Sequence, residues 1–357
     1  MTHPTISILI PTLNSAKVLD KCLKSINSQD YPRNKIEILI IDGGSTDKTL
    51  KIAKKQANAQ SASGGYKCKI LKNPLKTAES AKALGIKKAK GKYIAFIDSD
   101  NILPHKNWLK KMIKPLESDS SLIGSEPIKF TYRKSAGFIE RYSTLIGAND
   151  PYAFVTGVYD RYSYLSNTWT GLKIDQIDKG QYIKITLKPN SILPTIGANG
   201  TIFRSSFLHH RHPEHSEGSH SNYFFDIDLI SLVLQKTQKP LYFAKAKIGI
   251  IHSYCESSIS KFIRKQSRRL TDYYTYLPIR QFNWSKTNHI GIVKFSLYIL
   301  ILIPPIFDSF HGFFKKPDPA WFFHPLACFI SFFTYALTTI KYHLKLLKPI
   351  SRAKWQQ

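Results

Sequence analysis

Two carboxylates one residue apart, Asp98 and Asp100, stand where a short apolar run, residues 93–97, ends. Acids at that spacing can turn toward one divalent cation, and Mg²⁺ takes one or two carboxylates together with phosphate oxygens. The same acids would also serve as the polar end of a buried strand, because Asp-X-Asp by itself is common. A third acid, Asp42, follows another apolar run, 36–41, and precedes a glycine-rich turn at 43–47. A single acid suits hydrogen bonds from a nucleoside, and the pair suits a metal carried on its diphosphate.

The elements that must position these acids are legible in the periodicity. Residues 5–10 read as a first strand, followed by a helix over 16–28 with Val18, Leu19, Cys22, Leu23 and Ile26 on one face. A strand at 36–41 leads through 43–47 into a helix capped by Ser45 or Thr46. A strand at 67–71, a helix at 77–89 and the strand at 93–97 follow. Strand–helix alternation at this spacing predicts an α/β fold with a mostly parallel, doubly wound sheet, whose ligands collect beyond the strands' carboxyl ends. No Gly-X-Gly-X-X-Gly follows the first strand, so a dinucleotide fold is not expected.

The chain has 357 residues, with 52 Lys and Arg against 24 acids and a formal charge of +28. So basic a chain favours polyanionic partners. The lysines are spread throughout and no nucleic-acid-reading motif accompanies them, so no nucleic acid is expected. Cys22, Cys68, Cys255 and Cys328 are far apart, which predicts a reducing compartment rather than a disulfide or zinc framework. The first eleven residues lack the basic start of a signal peptide.

Three segments taken together carry a family resemblance. Ile-Ser-Ile-Leu-Ile-Pro-Thr-Leu-Asn (6–14), Ile-Leu-Ile-Ile-Asp-Gly-Gly-Ser-Thr-Asp-Lys-Thr (38–49) and Gly-Lys-Tyr-Ile-Ala-Phe-Ile-Asp-Ser-Asp (91–100), in that order, resemble the inverting nucleotide-sugar glycosyltransferases of family 2. The resemblance covers roughly residues 5–270 and implies a GT-A fold. It implies that Pro11 and Asn14 line the nucleotide pocket, that Asp42 contacts the base, and that Asp98 and Asp100 are the metal pair for Mg²⁺ or Mn²⁺, with Asp98 also at the ribose. The chain departs from the pattern in two places. Gly43 replaces a second acid, and Lys82 stands where an arginine is usual, able to meet a phosphate only as a point charge.

The acceptor half is less regular. Residues 133–170 interleave Phe138, Tyr142, Tyr152, Phe154, Tyr159, Tyr162, Tyr164 and Trp169 with basic residues, either as a sugar- or lipid-facing surface or as a packed insertion. The turn at 195–200, with Gly197, Asn199 and Gly200, matches loosely a family turn that borders donor and acceptor. His209, His210, His212, His215 and His220 have no metal-ligand spacing and read as a mobile polar loop over the site. Phe224-Phe225-Asp226-Ile227-Asp228-Leu229 resembles a family Glu-Asp-X-Asp-Leu with Phe225 in place of the Glu. That implies Asp226 as the general base and Asp228 as structural or acceptor-positioning; plain helix capping is the alternative. His252, after a strand region at 240–251, matches a family histidine that completes the metal shell. The basic helix 258–269 places Arg268 and Arg269 for the departing diphosphate or for lipid phosphates, and Gln266 and Arg269 share the spacing of a Gln-X-X-Arg motif.

Two apolar stretches, 290–307 and 321–340, approach the roughly 20 residues that cross a bilayer. Pro304 and Pro305 interrupt the first, and Lys341, Lys345, Lys348, Arg352 and Lys354 follow the second. Basic residues on both flanks predict two spans with a cytoplasmic catalytic domain, a reading that Lys315 and Lys316 weaken; a re-entrant or interfacial hairpin, favoured by the prolines, and two buried core helices are the alternatives. The expected organisation is a transferase domain at 1–275, divided at 101/102 into donor and acceptor halves, and a membrane-associated helical region at 276–357. The expected activity is sugar transfer from a nucleotide diphosphate sugar to a lipid-linked, polyprenyl phosphate or glycan acceptor, with membrane lipids as partners. The competing reading is a non-catalytic, basic membrane-binding protein with a relic transferase fold.

Overall fold

In the first two strands alternate residues serve two layers. Ile6, Ile8 and Ile10 of β1 (Ile6–Thr12) and Ile38 and Ile40 of β2 (Ile36–Asp42) pack on one face of the sheet, while Leu9, Leu39 and Ile41 pack on the other. Continuous apolar runs are what a parallel strand covered on both faces requires. These coordinates, a computed structural model, describe residues 5–62, 66–197, 199–211, 222–280, 282 and 289–349.

Helix α1 (Ala16–Asn27) buries Leu19, Cys22, Leu23 and Ile26 on the first face, the stripe its spacing predicts. Helix α2 (Thr49–Ala62) begins at Thr49, later than expected, and is not capped by Ser45 or Thr46. Asp47 Oδ1 instead accepts from Thr49 N, because Ser45 and Thr46 are engaged with Asp42 and Asn14. After β3 (Lys67–Lys72), helix α3 (Ala78–Lys88) is capped by Thr77, whose hydroxyl accepts from Ser80 N. It lies on the second face through Ala81, Ala83 and Ile86.

Next come β4 (Tyr93–Phe96), the two-residue β5 (Asn101–Ile102), α4 (Trp108–Ser118) with Trp108 fully buried, and β6 (Leu122–Phe130). Helices α5 (Phe138–Ile146) and α6 (Pro151–Thr156) precede the hairpin of β7 (Gln176–Asp178) and β8 (Tyr182–Leu187). Then follow β9 (Thr201–Arg204), α7 (Ser205–Arg211), α8 (Asp226–Thr237), β10 (Leu241–His252) and α9 (Ile259–Tyr276). The sheet order is β3-β2-β1-β4-β9-β6-β10-β8-β7. β3, β2, β1 and β4 are mutually parallel, as are β6 and β10; β9 runs antiparallel between the two groups. The mostly parallel, doubly wound sheet is therefore the one expected from the sequence. Strand order reverses at the β1–β4 step, the place where such sheets bind ligands.

The aromatic insertion is a packed one. Ile139, Tyr142 and Leu145 of α5 share a core with Trp321, Phe323, Ala327 and Ile330. The C-terminal elements are α10 (His289–Leu300), α11 (Ile303–Lys315) and α12 (His324–His343). The first apolar stretch is not one straight span: α10 and α11 meet at 85°. Pro304 and Pro305 sit in the first turn of α11, where a missing N–H costs nothing, so they end α10 by starting a new helix.

Candidate active site

Parallel pairing aligns the strand ends. Thr12 is in register with Asp42, and Ile97 N donates to Leu9 O, so the three turns after β1, β2 and β4 leave the same edge of the sheet. They are laced together. Asn14 adopts φ +47° and its Oδ1 accepts from Thr46 N at 2.7 Å, while its own N–H donates to Ser45 Oγ at 2.8 Å. Ser99 Oγ donates to Ser15 Oγ at 3.0 Å, binding the Asp98–Asp100 turn to the first one. Asp42 is buried, and its carboxylate accepts from Gly44 N (2.8 Å), Ser45 N (2.9 Å), Ser45 Oγ (2.5 Å) and Thr12 Oγ1 (3.3 Å). Pro11, in β1, and Asn14 line this edge; any contact from Asp42 to a base competes with four internal hydrogen bonds.

At the end of β4, Asn101 closes a tight turn: its Oδ1 accepts from Asp98 N at 3.0 Å and its N–H donates to Asp98 O at 2.9 Å. β5 then pairs with β10, setting Asn101 opposite His252. That pairing brings His252 Nε2 to 3.4 Å from Asp100 Oδ2. Burial raises the Asp98 pKa, opposed by Lys82 and reinforced by Asp100. Burial pushes Asp100 the same way, but His252 and, further off, Lys265 overcome it and hold Asp100 at about 2. Asp100 is thus fixed as a carboxylate beside an imidazole nitrogen. Among the described residues no three His, Cys, Asp or Glu side chains form a metal-holding group. A cation here would be held by Asp100 and His252, with Asp98 two residues away in the same turn and phosphate oxygens supplying further donors. The oxygen-rich donor set fits Mg²⁺ or Mn²⁺.

The second half of the site comes from α3 and α8. Lys82 Nζ bonds Asp226 Oδ2 at 2.6 Å, with both side chains largely buried. Burial would lower the Lys82 pKa, yet the Asp226 and Asp98 carboxylates raise it above its ordinary value, so the ammonium is held charged. The residues expected to meet a phosphate and to act as base are therefore one ion pair. Asp226 Oδ1 is buried and has no hydrogen-bond partner among the described residues. Gly197, at φ +132°, lies against this carboxylate; a Cβ there would sit 2.5 Å from Asp226 Cβ. Asn199 Oδ1 accepts from Asn101 Nδ2 at 3.0 Å, so the same turn touches both halves. Gly200, at φ +91°, leaves room for Ile250 and Trp108.

That turn rests on a buried charge cluster that the sequence did not reveal. Glu126 Oε2 accepts from Gly197 N (3.5 Å) and Thr201 Oγ1 (3.3 Å), while its carboxylate pairs with Lys245 (2.6 Å) and Arg161 (2.9 Å). Thr195 Oγ1 donates to Asp160, which itself pairs with Arg161.

The remaining expected residues are engaged elsewhere. Asp228 is bound by Arg280 at 2.6 Å, and the guanidinium stacks on the Phe225 ring at 4.7 Å, which accounts for an aromatic residue where the family has Glu. Arg268 pairs with Asp272 at 3.1 Å on its own helix. Arg269 pairs with Asp150 at 3.3 Å and donates to Gln266 Oε1 at 2.5 Å. On α9 it is Lys265 whose charge bears on Asp100. His209 lies in α7; the loop reading of His210, His212, His215 and His220 falls outside the described residues and side chains.

Comparison with known proteins bears on this arrangement. The family model described as "Glycosyl transferase family 2" matches residues 7–210. Glycosyltransferase AglE of Haloferax volcanii is 32% identical over 145 residues, which is 40% of this chain and 45% of that protein. A Methanococcus voltae dolichyl N-acetyl-alpha-D-glucosaminyl phosphate 3-beta-D-2,3-diacetamido-2,3-dideoxy-beta-D-glucuronosyltransferase is 38% identical over 109 residues, 30% of this chain and 33% of that one. The matched stretch thus spans less than half the length of either curated relative. Among solved structures, the mannosyltransferase PcManGT from Pyrobaculum calidifontis, in complex with GDP-Man and Mn²⁺, superposes with a TM-score of 0.48 at 14% identity, covering 99% of this chain and 84% of that one.

Proposed function

Because this chain belongs to glycosyl transferase family 2, and is a glycosyltransferase, we propose that it transfers a sugar with inversion from a nucleotide diphosphate sugar to a lipid-linked, polyprenyl phosphate or glycan acceptor. The observation that carries the proposal is the meeting of two pairs, Asp100–His252 and Lys82–Asp226, along one sheet edge, joined by the turn holding Gly197 and Asn199. Pro11, Asn14 and the turn built by Asp42 receive the nucleoside, and Asp98 takes the ribose. Asp100 and His252, with Asp98, would hold a divalent cation, which would supply neutralisation of charge on the departing diphosphate. Asp226 accepts the acceptor hydroxyl proton as the acceptor oxygen bonds to the anomeric carbon and the bond to the diphosphate breaks. Lys82 orients the Asp226 carboxylate through their 2.6 Å bond, and an entering diphosphate gives its ammonium a second anionic partner.

The test is a donor screen with the full chain in detergent, read as nucleotide release. One nucleotide sugar is expected to support release with Mg²⁺ or Mn²⁺ and to lose it with chelator; release that ignores chelator rejects the metal-centred reading. NMR of the product is expected to show the opposite anomeric configuration from the donor.

The acceptor side faces a membrane in this proposal. The helix Pro319–His343 is long and apolar enough to cross one, with mean hydropathy 1.4. Exposed apolar residues continue along α10 and α11, including Ile303 (71% exposed) and Phe314 (78%). The 85° bend between those helices favours a hairpin seated in one leaflet over two straight spans. Lys341 and Lys345 then meet anionic headgroups, whereas Lys315 donates to Leu165 O and Lys316 lies over the Tyr132 and Tyr164 rings. Burying each of Ile303 and Phe314 contributes about 1.5–3 kcal/mol. The double substitution Ile303→Glu with Phe314→Glu is expected to cut flotation with anionic phospholipid vesicles by at least about tenfold, at about 1.4 kcal/mol per decade. Unchanged flotation would reject this seat.

A further inference from the structure

His252 can offer Nε2 to a cation only if its proton sits on Nδ1, and a buried imidazole keeps a proton where an acceptor holds it. The group facing Nδ1 is the Asn149 side chain: its Nδ2 lies 3.2 Å from His252 Nδ1. The amide's two ends are alike in shape: with Nδ2 facing it, Nδ1 would accept, which would place the ring proton on Nε2, toward Asp100. The other end of the same amide, Asn149 Oδ1, is buried and has no hydrogen-bond partner among the described residues. A half-turn of the amide exchanges the two ends. Oδ1 then accepts from Nδ1–H, and the bare Nε2 faces the Asp100 side.

The rest of Asn149 is not free to move. Its carbonyl accepts from Gln266 Nε2 at 3.0 Å and from Arg269 at 3.5 Å. The single Tyr335 hydroxyl proton is shared between Asp150 Oδ2 at 2.7 Å and Gln266 Oε1 at 3.0 Å. Helices α9 and α12 therefore clamp the main chain at 149. An asparagine, able to present either a donor or an acceptor in one position, can meet Nδ1–H with its oxygen.

We propose that Asn149 is a positioning residue for His252: held by its main chain, it turns its amide oxygen to Nδ1–H and so leaves Nε2 free for a divalent cation. This rests on the reading of Asp100 and His252 as the metal pair. The clamp on Asn149 also makes the C-terminal helix α12 part of the site's support, through Tyr335.

The test is Mn²⁺ binding to the full chain in detergent. It is followed by the electron paramagnetic resonance signal of free Mn²⁺, with and without GDP or UDP, and by nitrogen modulation of the bound ion's spin echo. Asn149→Asp keeps an acceptor for Nδ1–H and is expected to bind Mn²⁺ at least as tightly as the unaltered chain, with the nitrogen modulation retained. Asn149→Leu, of similar size without an acceptor, is expected to bind about 10- to 100-fold more weakly and to lose the modulation. Equal affinity and modulation in Asn149→Leu overturn the proposal. So does an equal loss in Asn149→Asp, which would mark a packing role, and this arm decides alone if the leucine variant does not fold. Absence of nitrogen modulation in the unaltered chain would overturn the His252 assignment as well, which separates that failure from a failure confined to Asn149.

Discussion

Replacing Asp226 by asparagine is expected to slow transfer to a sugar hydroxyl by about 10²- to 10⁴-fold, the range lost with a positioned general base. The same variant is expected to change transfer to a polyprenyl phosphate little, because that oxygen is already anionic and has no proton to give up. The comparison is internal to one variant, so a loss of folded protein lowers both rates and leaves their ratio intact. That control matters here. Asp226 is bonded to the buried Lys82, and removing the charge of one partner in a buried pair costs about 3–5 kcal/mol when nothing replaces it. Asparagine retains a carbonyl oxygen for the ammonium, which moderates the cost. Unchanged turnover on a sugar hydroxyl rejects Asp226 as the base and leaves it as the counter-ion of Lys82.

The second large effect is expected at Asp100. A metal that stabilises the charge of a leaving diphosphate contributes several kcal/mol, so Asp100→Ala is expected to lower kcat by about 10³-fold, at about 1.4 kcal/mol per decade. It is also expected to abolish Mn²⁺ binding measured without substrate. His252→Ala removes the imidazole of the pair and is expected to weaken Mn²⁺ binding while leaving measurable activity, because Asp100 and the phosphates remain. The charge of Asp100 persists across the working pH range, held at about 2 against burial by His252, so mild acidification does not mimic the substitution. Full metal-dependent activity in Asp100→Ala would move the cation elsewhere and with it the assignment of the cleft.

The sheet's donor half was legible because its information is local. The short runs 38–41 and 93–97, bounded by polar turns, are too brief for helices and read as buried strands, so the acids that follow them stand at the carboxyl edge. The stripe Leu19, Cys22, Leu23 and Ile26 needs nothing but the period of a helix to be placed on the core. The resemblance of three ordered segments added the chemistry, and the family match over 7–210 agrees with it. The break at Pro304 and Pro305 was also visible, since proline cannot continue the preceding helix.

Partners distant along the chain were another matter. Lys82 and Asp226 are 144 positions apart, and nothing in the sequence signals that they share a hydrogen bond. A two-residue strand pairing, Asn101 with His252, is what brings the imidazole to Asp100; so short a pairing leaves no periodic trace. Arg268 and Arg269 read as free cations for a diphosphate, whereas packing of α9 gives them Asp272 and Asp150. Arg280, Asn149 and the Glu126 cluster carried no pattern at all. The sequence by itself determined which residues end strands and which face a core, because backbone geometry repeats every two or 3.6 residues. Only the tertiary structure decided which charges pair, what bend the C-terminal helices take, and which side chain faces the second nitrogen of His252. Those choices depend on how separate elements dock, and no local period encodes docking.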